Sequence, residues 1–332
     1  MQILVVTDAW SPQVNGVVQT LSTLRSILDR DGHTVTVLAP DRFRSVACPT
    51  YPEIRLALAM PTAVSSIIEA VRPDAIHIAT EGPLGYCARY VCRRRDYPFT
   101  TSLHTRFPEY VRARLGVPLS WGYGVLRRFH RPAVRVMVST PTLERELIQR
   151  GFANLVRWSR GVDTDLFRPR DKRFLDLPRP VSLFVGRVAI EKNIEAFLSL
   201  SLPGTKVVIG DGPQLPALRQ RHPDAVFLGV KTGEDLARHY AAADVFVFPS
   251  RTDTFGLVML EALASGVPVA AFPVPGPLDV VDGSGAACLD EDLSAAVHAA
   301  LRIPPERCRE HAQRFSWENC ARQFLGNLEV FR

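Results

Sequence analysis

Short runs of aliphatic and β-branched residues alternate with helix-length amphipathic segments along this chain, and halfway through the alternation starts afresh. Such a rhythm belongs to parallel sheets joined by crossover helices, because parallel neighbours cannot be linked by a tight hairpin. In the first half it predicts strands at 2–6, 34–39, 74–79, 99–104, 134–140 and 155–159. Helices are predicted between them, at 17–29, 62–71, 84–95, 119–131 and 142–150. The second series predicts strands at 181–185, 206–209, 225–228, 245–248, 267–272 and 286–289. Its helices are predicted at 194–200, 214–221, 233–242, 256–264 and 293–301. Two series imply two doubly wound α/β domains, and 332 residues suit two cores of roughly 150 residues each. The stretch 165–180 holds three prolines and little apolar periodicity, which divides the chain into 1–165, 166–304 and a helical region 305–332 expected to pack back on the first domain.

Composition narrows the class. A hydrophobic content of 46% and a charged content of 22% describe a globular chain rather than a disordered one. No apolar run approaches the ~20 residues that span a bilayer, and no signal-peptide pattern precedes Ile3-Leu4-Val5-Val6, so the cytoplasm is expected. Cys48, Cys87, Cys92, Cys288, Cys308 and Cys320 are scattered without C-x-x-C pairs; they are expected as thiols, with no structural metal. Residues 1–170 hold 23 arginines against 14 acids, and residues 171–332 hold 17 basic against 20 acidic side chains. This asymmetry fits a first domain that meets an anionic partner, a membrane surface or a nucleic acid.

Open α/β sheets bind ligands at the carboxyl ends of their strands, where the unusual residues of this chain collect. Asn15-Gly16 precedes a predicted helix and lets backbone amides approach an anion, although the pair also makes an ordinary turn. It is not the G-x-G-x-x-G of a dinucleotide site. His104 ends the fourth strand, where it serves either a substrate or the local hydrogen bonding. In the second domain Gly186-Arg187 and Lys192 flank a strand-to-helix turn; they read as a diphosphate clamp or as a solvated loop. Gly210-Asp211-Gly212-Pro213 is a tight turn that either approaches a base or ribose or only turns the chain. Asp253-Thr254-Phe255-Gly256-Leu257, with Glu261 a turn and a half further on, can present two carboxylates on either side of a helix N-terminus. The apolar residues there are explained by a buried strand and helix, but Asp253 and Glu261 are not.

At these residues the chain resembles the GT-B glycosyltransferases of the family usually numbered four. The family's E-x7-E signature stands here as Asp253-x7-Glu261, its one departure being the shorter carboxylate at 253. The Asn15-Gly16 turn, His104, Gly161-Val162-Asp163, Arg187 with Lys192, and Gly210-Asp211-Gly212-Pro213 complete the match in order. Thr80-Glu81-Gly82-Pro83-Leu84-Gly85 and the segment from His104 to Tyr110 are similar to the bacterial mannosyl- and glucosyltransferases that act on diacylglycerol-type lipids. The resemblance implies two Rossmann-like domains facing each other across a cleft. It also implies a retaining transfer of a hexose from UDP-glucose, UDP-glucuronic acid or GDP-mannose, with no cofactor and no metal.

By the same resemblance Arg187 and Lys192 hold the diphosphate, Glu261 binds the ribose, and Asp253 with the Phe255, Gly256 and Leu257 backbone positions the sugar. Gly186, Gly210 and Asp211 belong to the donor site, Gly16 lets the first loop close on the phosphates, and His104 bonds a sugar hydroxyl. An arginine beside the sugar would favour an acidic donor, and Arg251 is a candidate. The segment 106–135 interleaves seven arginines with aromatic and leucine side chains, a composition suited to the inner face of the plasma membrane. Arg106, Tyr110, Arg112, Trp121, Arg127 and Arg128 are its candidate lipid contacts; a packed helix pair with a basic outer side is the other reading. A lipid acceptor and an anionic membrane surface are the expected partners, and nucleic acid is not expected. A sugar-nucleotide epimerase, a transferase acting on a polysaccharide, and a nicotinamide-dependent dehydrogenase are the alternatives.

Overall fold

The computed structural model describes every residue except Val14, Pro49, Thr50, Thr105, Thr254 and Arg332, and the side chains of Cys48, residues 51–54, Tyr110 and residues 113–115. The chain forms two compact units, Met1–Ser159 with Trp317–Arg332, and Arg160–Ser316.

The first unit is built on β1 (Gln2–Val6), α1 (Gly16–Arg30) and β2 (Thr34–Leu38), followed by the hairpin β3 (Ser45–Cys48) and β4 (Tyr51–Ala57). It continues through α2 (Pro61–Val71), β5 (Ala75–Ile78), α3 (Pro83–Arg94) and β6 (Thr100–Leu103). Next come α4 (Phe107–Leu115), α5 (Leu119–His130), β7 (Arg135–Val138), α6 (Pro141–Gln149) and β8 (Leu155–Arg157). Six parallel strands lie in the order β2-β1-β5-β6-β7-β8. Ile3, Leu4, Val5 and Val6 are all buried, because a strand covered by helices on both faces has no solvent side on which to alternate. The hairpin and α4 were not among the expected elements.

The second unit runs β9 (Val181–Val185), α7 (Ile194–Leu198), β10 (Thr205–Ile209), α8 (Leu215–Arg221), β11 (Val226–Phe227), α9 (Gly233–Ala242) and β12 (Val245–Phe248). It ends with α10 (Leu257–Ala264), β13 (Val269–Ala271), α11 (Pro275–Val280), β14 (Ala287–Leu289), α12 (Leu293–Ala300) and α13 (Pro305–Ala312). Its parallel strands lie in the order β11-β10-β9-β12-β13-β14. Counted within the unit this is 3-2-1-4-5-6, the doubly wound dinucleotide-binding order, whereas the first unit reads 2-1-3-4-5-6.

Two boundaries differ from expectation. The proline-rich stretch is not a free linker. Val162 and Phe167 lie in the second unit's core, and the Arg309 guanidinium of α13 donates to the carbonyls of Thr164, Phe167 and Ala264. The last helical region is also not one body. α13 packs on α10, the chain breaks at residues 313–316, and only α14 (Trp317–Asn327) joins the first unit, against α1. Phe315 causes the break by staying with the second unit, where its carbonyl accepts the Val162 amide.

Among the described residues no helix is long and apolar enough to cross a membrane. Cys87, Cys92, Cys288, Cys308 and Cys320 are free thiols, and burial pushes Cys92 and Cys308 up to about 12.

Candidate active site

The second unit's switch point lies between β9 and β12, the strands from which the chain winds in opposite directions. The loops leaving these strands carry Gly186 to Lys192 and Ser250 to Asp253, and they are laced together. Ser250 Oγ and Thr252 Oγ1 each donate to the Glu191 carbonyl at 3.3 Å, and Asn193 Nδ2 donates to the Pro249 carbonyl at 3.0 Å. Over this lacing Lys192 Nζ stands 2.5 Å from Asp253 Oδ1. The second carboxylate oxygen, Oδ2, is buried with no hydrogen-bond partner among the described residues. A buried acceptor left unpaired costs about 1–3 kcal/mol, and the described residues supply no donor to this oxygen.

The glycines around this point serve close backbone approach. A Cβ on Gly210 would stand 1.9 Å from the Gly186 carbonyl oxygen, and both residues have positive φ. The Gly210-Asp211-Gly212 turn is thus pressed on the neighbouring β9 loop, where Val188 N donates to the Asp211 carbonyl. Asp211 is exposed and its Oδ1 accepts the Gly212 amide at 2.7 Å. Gly256, at φ +82, is the N-cap of α10, and a Cβ there would meet Met259 at 2.8 Å and the Phe248 ring at 3.1 Å. It leaves the first amides of α10 without a side-chain cap.

Glu261 is 4% exposed, and its Oε2 accepts the Tyr240 hydroxyl at 2.9 Å. Phe255 is buried with its ring against Phe315, so it offers backbone rather than ring to a ligand, and Leu257 and Arg187 are half-buried at the same edge. Arg251 stacks 3.8 Å over the Phe272 ring and pairs with Glu291 at 2.9 Å, so its guanidinium is committed within the protein.

In the first unit the switch point lies between β1 and β5, and here the protein fills the position itself. Asp8, buried at the end of β1, accepts the Leu84 amide at 2.9 Å, the Gly85 amide at 3.2 Å and the Thr80 hydroxyl at 2.9 Å. Its carboxylate is a cap for α3 supplied from 76 residues away. Burial pushes the Asp8 carboxyl up, while the amides and hydroxyl pull it back. The segment from Thr80 to Gly85 is shaped around this contact. A Cβ on Gly82 would meet Asp8 Cγ at 2.3 Å, and one on Gly85 would meet the Thr80 carbonyl at 2.0 Å. Asp8 carries no signature in the sequence, since a cap donated across the sheet leaves no local spacing to find.

Asn15 caps α1, its Oδ1 accepting the Val17 and Val18 amides at 3.0 Å, so those two amides are already engaged beside Gly16. His104 is half-buried, packs edge-on to Trp158 and bonds Ser102 Oγ at 2.8 Å through Nε2. Ser102 Oγ also meets the fully buried His77 at 3.1 Å.

The α4–α5 pair divides the proposed lipid contacts. Trp121 is 66% and Phe107 58% exposed, and Arg112, Arg127 and Arg128 are exposed beside them. Arg106 is not on this surface: it is 8% exposed and ion-pairs with Glu146 at 2.7 Å, beside Glu109. A buried guanidinium needs carboxylate partners, and the chain provides two. The Tyr110 side chain lies outside the described residues.

Among the described residues no three His, Cys, Asp or Glu side chains gather as a metal site would require.

Comparison with known proteins agrees with this architecture. The model of Glycosyltransferase Family 4 matches residues 14–166, and that of Glycosyl transferases group 1 matches residues 179–303. A GDP-mannose-dependent alpha-mannosyltransferase of Mycobacterium tuberculosis is 31% identical, over 100% of this chain and 97% of its own length. Alpha-monoglucosyldiacylglycerol synthase of Streptococcus pneumoniae is 27% identical, over 100% of this chain and 85% of its own. Among solved structures, sucrose-phosphate synthase from Thermosynechococcus elongatus superposes with a TM-score of 0.79 at 22% identity, covering 98% of this chain and 97% of that one. The family match selects the transferase over the epimerase and the dehydrogenase: this chain belongs to glycosyltransferase family 4 and is a glycosyltransferase of GT-B fold.

Proposed function

We propose that the enzyme moves a hexose from a nucleoside diphosphate sugar to a lipid hydroxyl at an anionic membrane surface, with retention of configuration and without a metal. The observation that carries this reading is the Lys192–Asp253 pair, whose second carboxylate oxygen is buried with no partner among the described residues. A sugar hydroxyl would supply the missing donor to Asp253 Oδ2. A diphosphate would stand beside Lys192 as well, and Arg187 follows β9 at the same edge. In the transfer the bond from the sugar's anomeric carbon to the β-phosphate oxygen breaks, and a bond to the acceptor oxygen forms on the same face. The acceptor's proton passes to the departing phosphate oxygen. Fixed cations at that phosphate stabilise the charge as it develops, the role a metal fills elsewhere. Glu261 takes the ribose, and His104 bonds a sugar hydroxyl.

Lipid acceptors are supported by the similarity to alpha-monoglucosyldiacylglycerol synthase and by the exposed Trp121, Phe107, Arg112, Arg127 and Arg128, which suit a headgroup interface. The mannosyltransferase relatives favour GDP-mannose and the synthase a glucosyl donor. The test is a radiolabelled transfer assay to diacylglycerol across a panel of UDP and GDP sugars. The wild type transfers label, and Arg187→Ala combined with Lys192→Ala lowers kcat by about 1,000-fold while the circular dichroism spectrum is kept. Turnover left essentially unchanged would remove both residues from the mechanism.

A further inference from the structure

Glu261 is held by a hydroxyl from the second unit's own core. Tyr240, near the end of α9, is completely buried, with its ring 5.7 Å from Phe167 in an edge contact and 5.7 Å from Phe246. Its hydroxyl reaches Glu261 Oε2 at 2.9 Å. We propose that Tyr240 is a positioning residue for nucleotide recognition: its hydroxyl fixes the rotation of the Glu261 carboxylate and so sets the enzyme's preference for a ribose bearing both hydroxyls. This rests on the assignment of Glu261 to the ribose.

The physical case has three parts. A carboxylate on a two-carbon stem turns freely about its last bond, and a bidentate partner such as a ribose diol rewards only a narrow range of that turn. A charge-assisted hydrogen bond to one oxygen removes this freedom before the ligand arrives, so less ordering is left for binding to oppose. The donor is itself immobile, since its ring is wedged between two aromatic neighbours. Burial and the adjacent carboxylate push the Tyr240 hydroxyl well above its usual range, so it stays a donor throughout the working pH range. The backbone beneath is fixed too: the Ser265 hydroxyl donates to the Glu261 carbonyl at 2.9 Å, and Arg309 grips the Ala264 carbonyl at the end of α10.

Tyr240→Phe removes the hydroxyl and keeps the ring. The probes are UDP and GDP, each with its 2′,3′-dideoxyribose counterpart, titrated by calorimetry into the full-length enzyme. The wild type prefers the ribose form. In Tyr240→Phe that preference falls about tenfold, the worth of one charge-assisted hydrogen bond, while the dideoxy forms bind as before. Full preference in Tyr240→Phe, with a loss in Glu261→Gln, overturns the role of Tyr240 alone. Full preference in Glu261→Gln overturns the ribose assignment and the inference with it. A second measurement needs no variant: in a structure of the wild-type enzyme with the nucleoside diphosphate, the Tyr240 hydroxyl remains on Glu261 while the carboxylate meets the ribose. A carboxylate swung away from Tyr240 overturns the proposal.

Discussion

The two units solve the same topological problem in opposite ways. Each sheet has one place where its strands wind apart, and at each an aspartate spans the gap. In the first unit Asp8 is consumed by the protein: Thr80, Leu84 and Gly85 take its oxygens and the N-terminus of α3 is closed. In the second unit Asp253 is only half consumed, with one oxygen on Lys192 and the other buried without a partner among the described residues, and the cap of α10 is a glycine with no side chain to offer. The difference shows how one architecture yields a closed joint or, at the site we propose for the donor, an open one. What decides is whether the chain completes its own hydrogen bonding at the switch point.

Three measurements can break or sharpen that contrast. The largest effect should be on the first unit's outer surface, where Arg112, Arg127 and Arg128 are exposed. Changing all three to glutamine should weaken binding to anionic vesicles by about 3 kcal/mol in flotation, roughly 1 kcal/mol for each arginine near the surface. Equal recovery of the wild type with neutral and anionic vesicles would remove the electrostatic part of the claim. Next comes the sealed switch point. Asp8→Ala strips the partner from two helix amides and a hydroxyl and should cost about 2–3 kcal/mol in urea unfolding, with affinity for UDP or GDP unchanged. A variant of wild-type stability that no longer binds nucleotide would mean the first unit's joint is a ligand site after all.

The smallest effect concerns acid. His311 on α13 donates from Nε2 to the Val280 carbonyl at 2.7 Å, while its Nδ1 is buried with no partner among the described residues. Burial holds its pKa below the usual 6.5. A histidine depressed in this way favours the folded state when neutral, so its contribution is whole above the unfolded value and is lost as pH falls through 6.5 toward the folded value. Melting from pH 7.5 to 5.5 should therefore weaken the second unit, and His311→Gln should flatten that slope. An identical slope in the variant would clear His311.

Strands were the most legible elements, because a strand buried on both faces leaves an unbroken apolar run. β9 and β12 lie where Val181–Val185 and Val245–Phe248 predict them. The β3–β4 hairpin was not legible, since it lies outside both parallel sheets and breaks their rhythm. Pairing across the sequence was equally hidden. Lys192 and Asp253 were each named as site residues, but their contact joins positions 61 apart, and the Asp8 cap joins positions 76 apart. Arg106 misled because an arginine among aromatics reads alike on a membrane face and in a buried ion pair. The partner that separates the two is Glu146 on α6, beyond α4 and α5 in the sequence.

The return of the chain to its first unit has a consequence for synthesis. α14 brings Phe324 to within 5.0 Å of the buried His77 and 5.1 Å of Trp158, and the Cys320 carbonyl accepts the Trp158 indole N–H. On the ribosome, residues 1–159 emerge with that cover missing, and the whole of residues 160–316 must be translated before it can arrive. The unit begun first is thus the one finished last: the sheet that carries His77 and Trp158 waits for α14 until the whole second unit has been made.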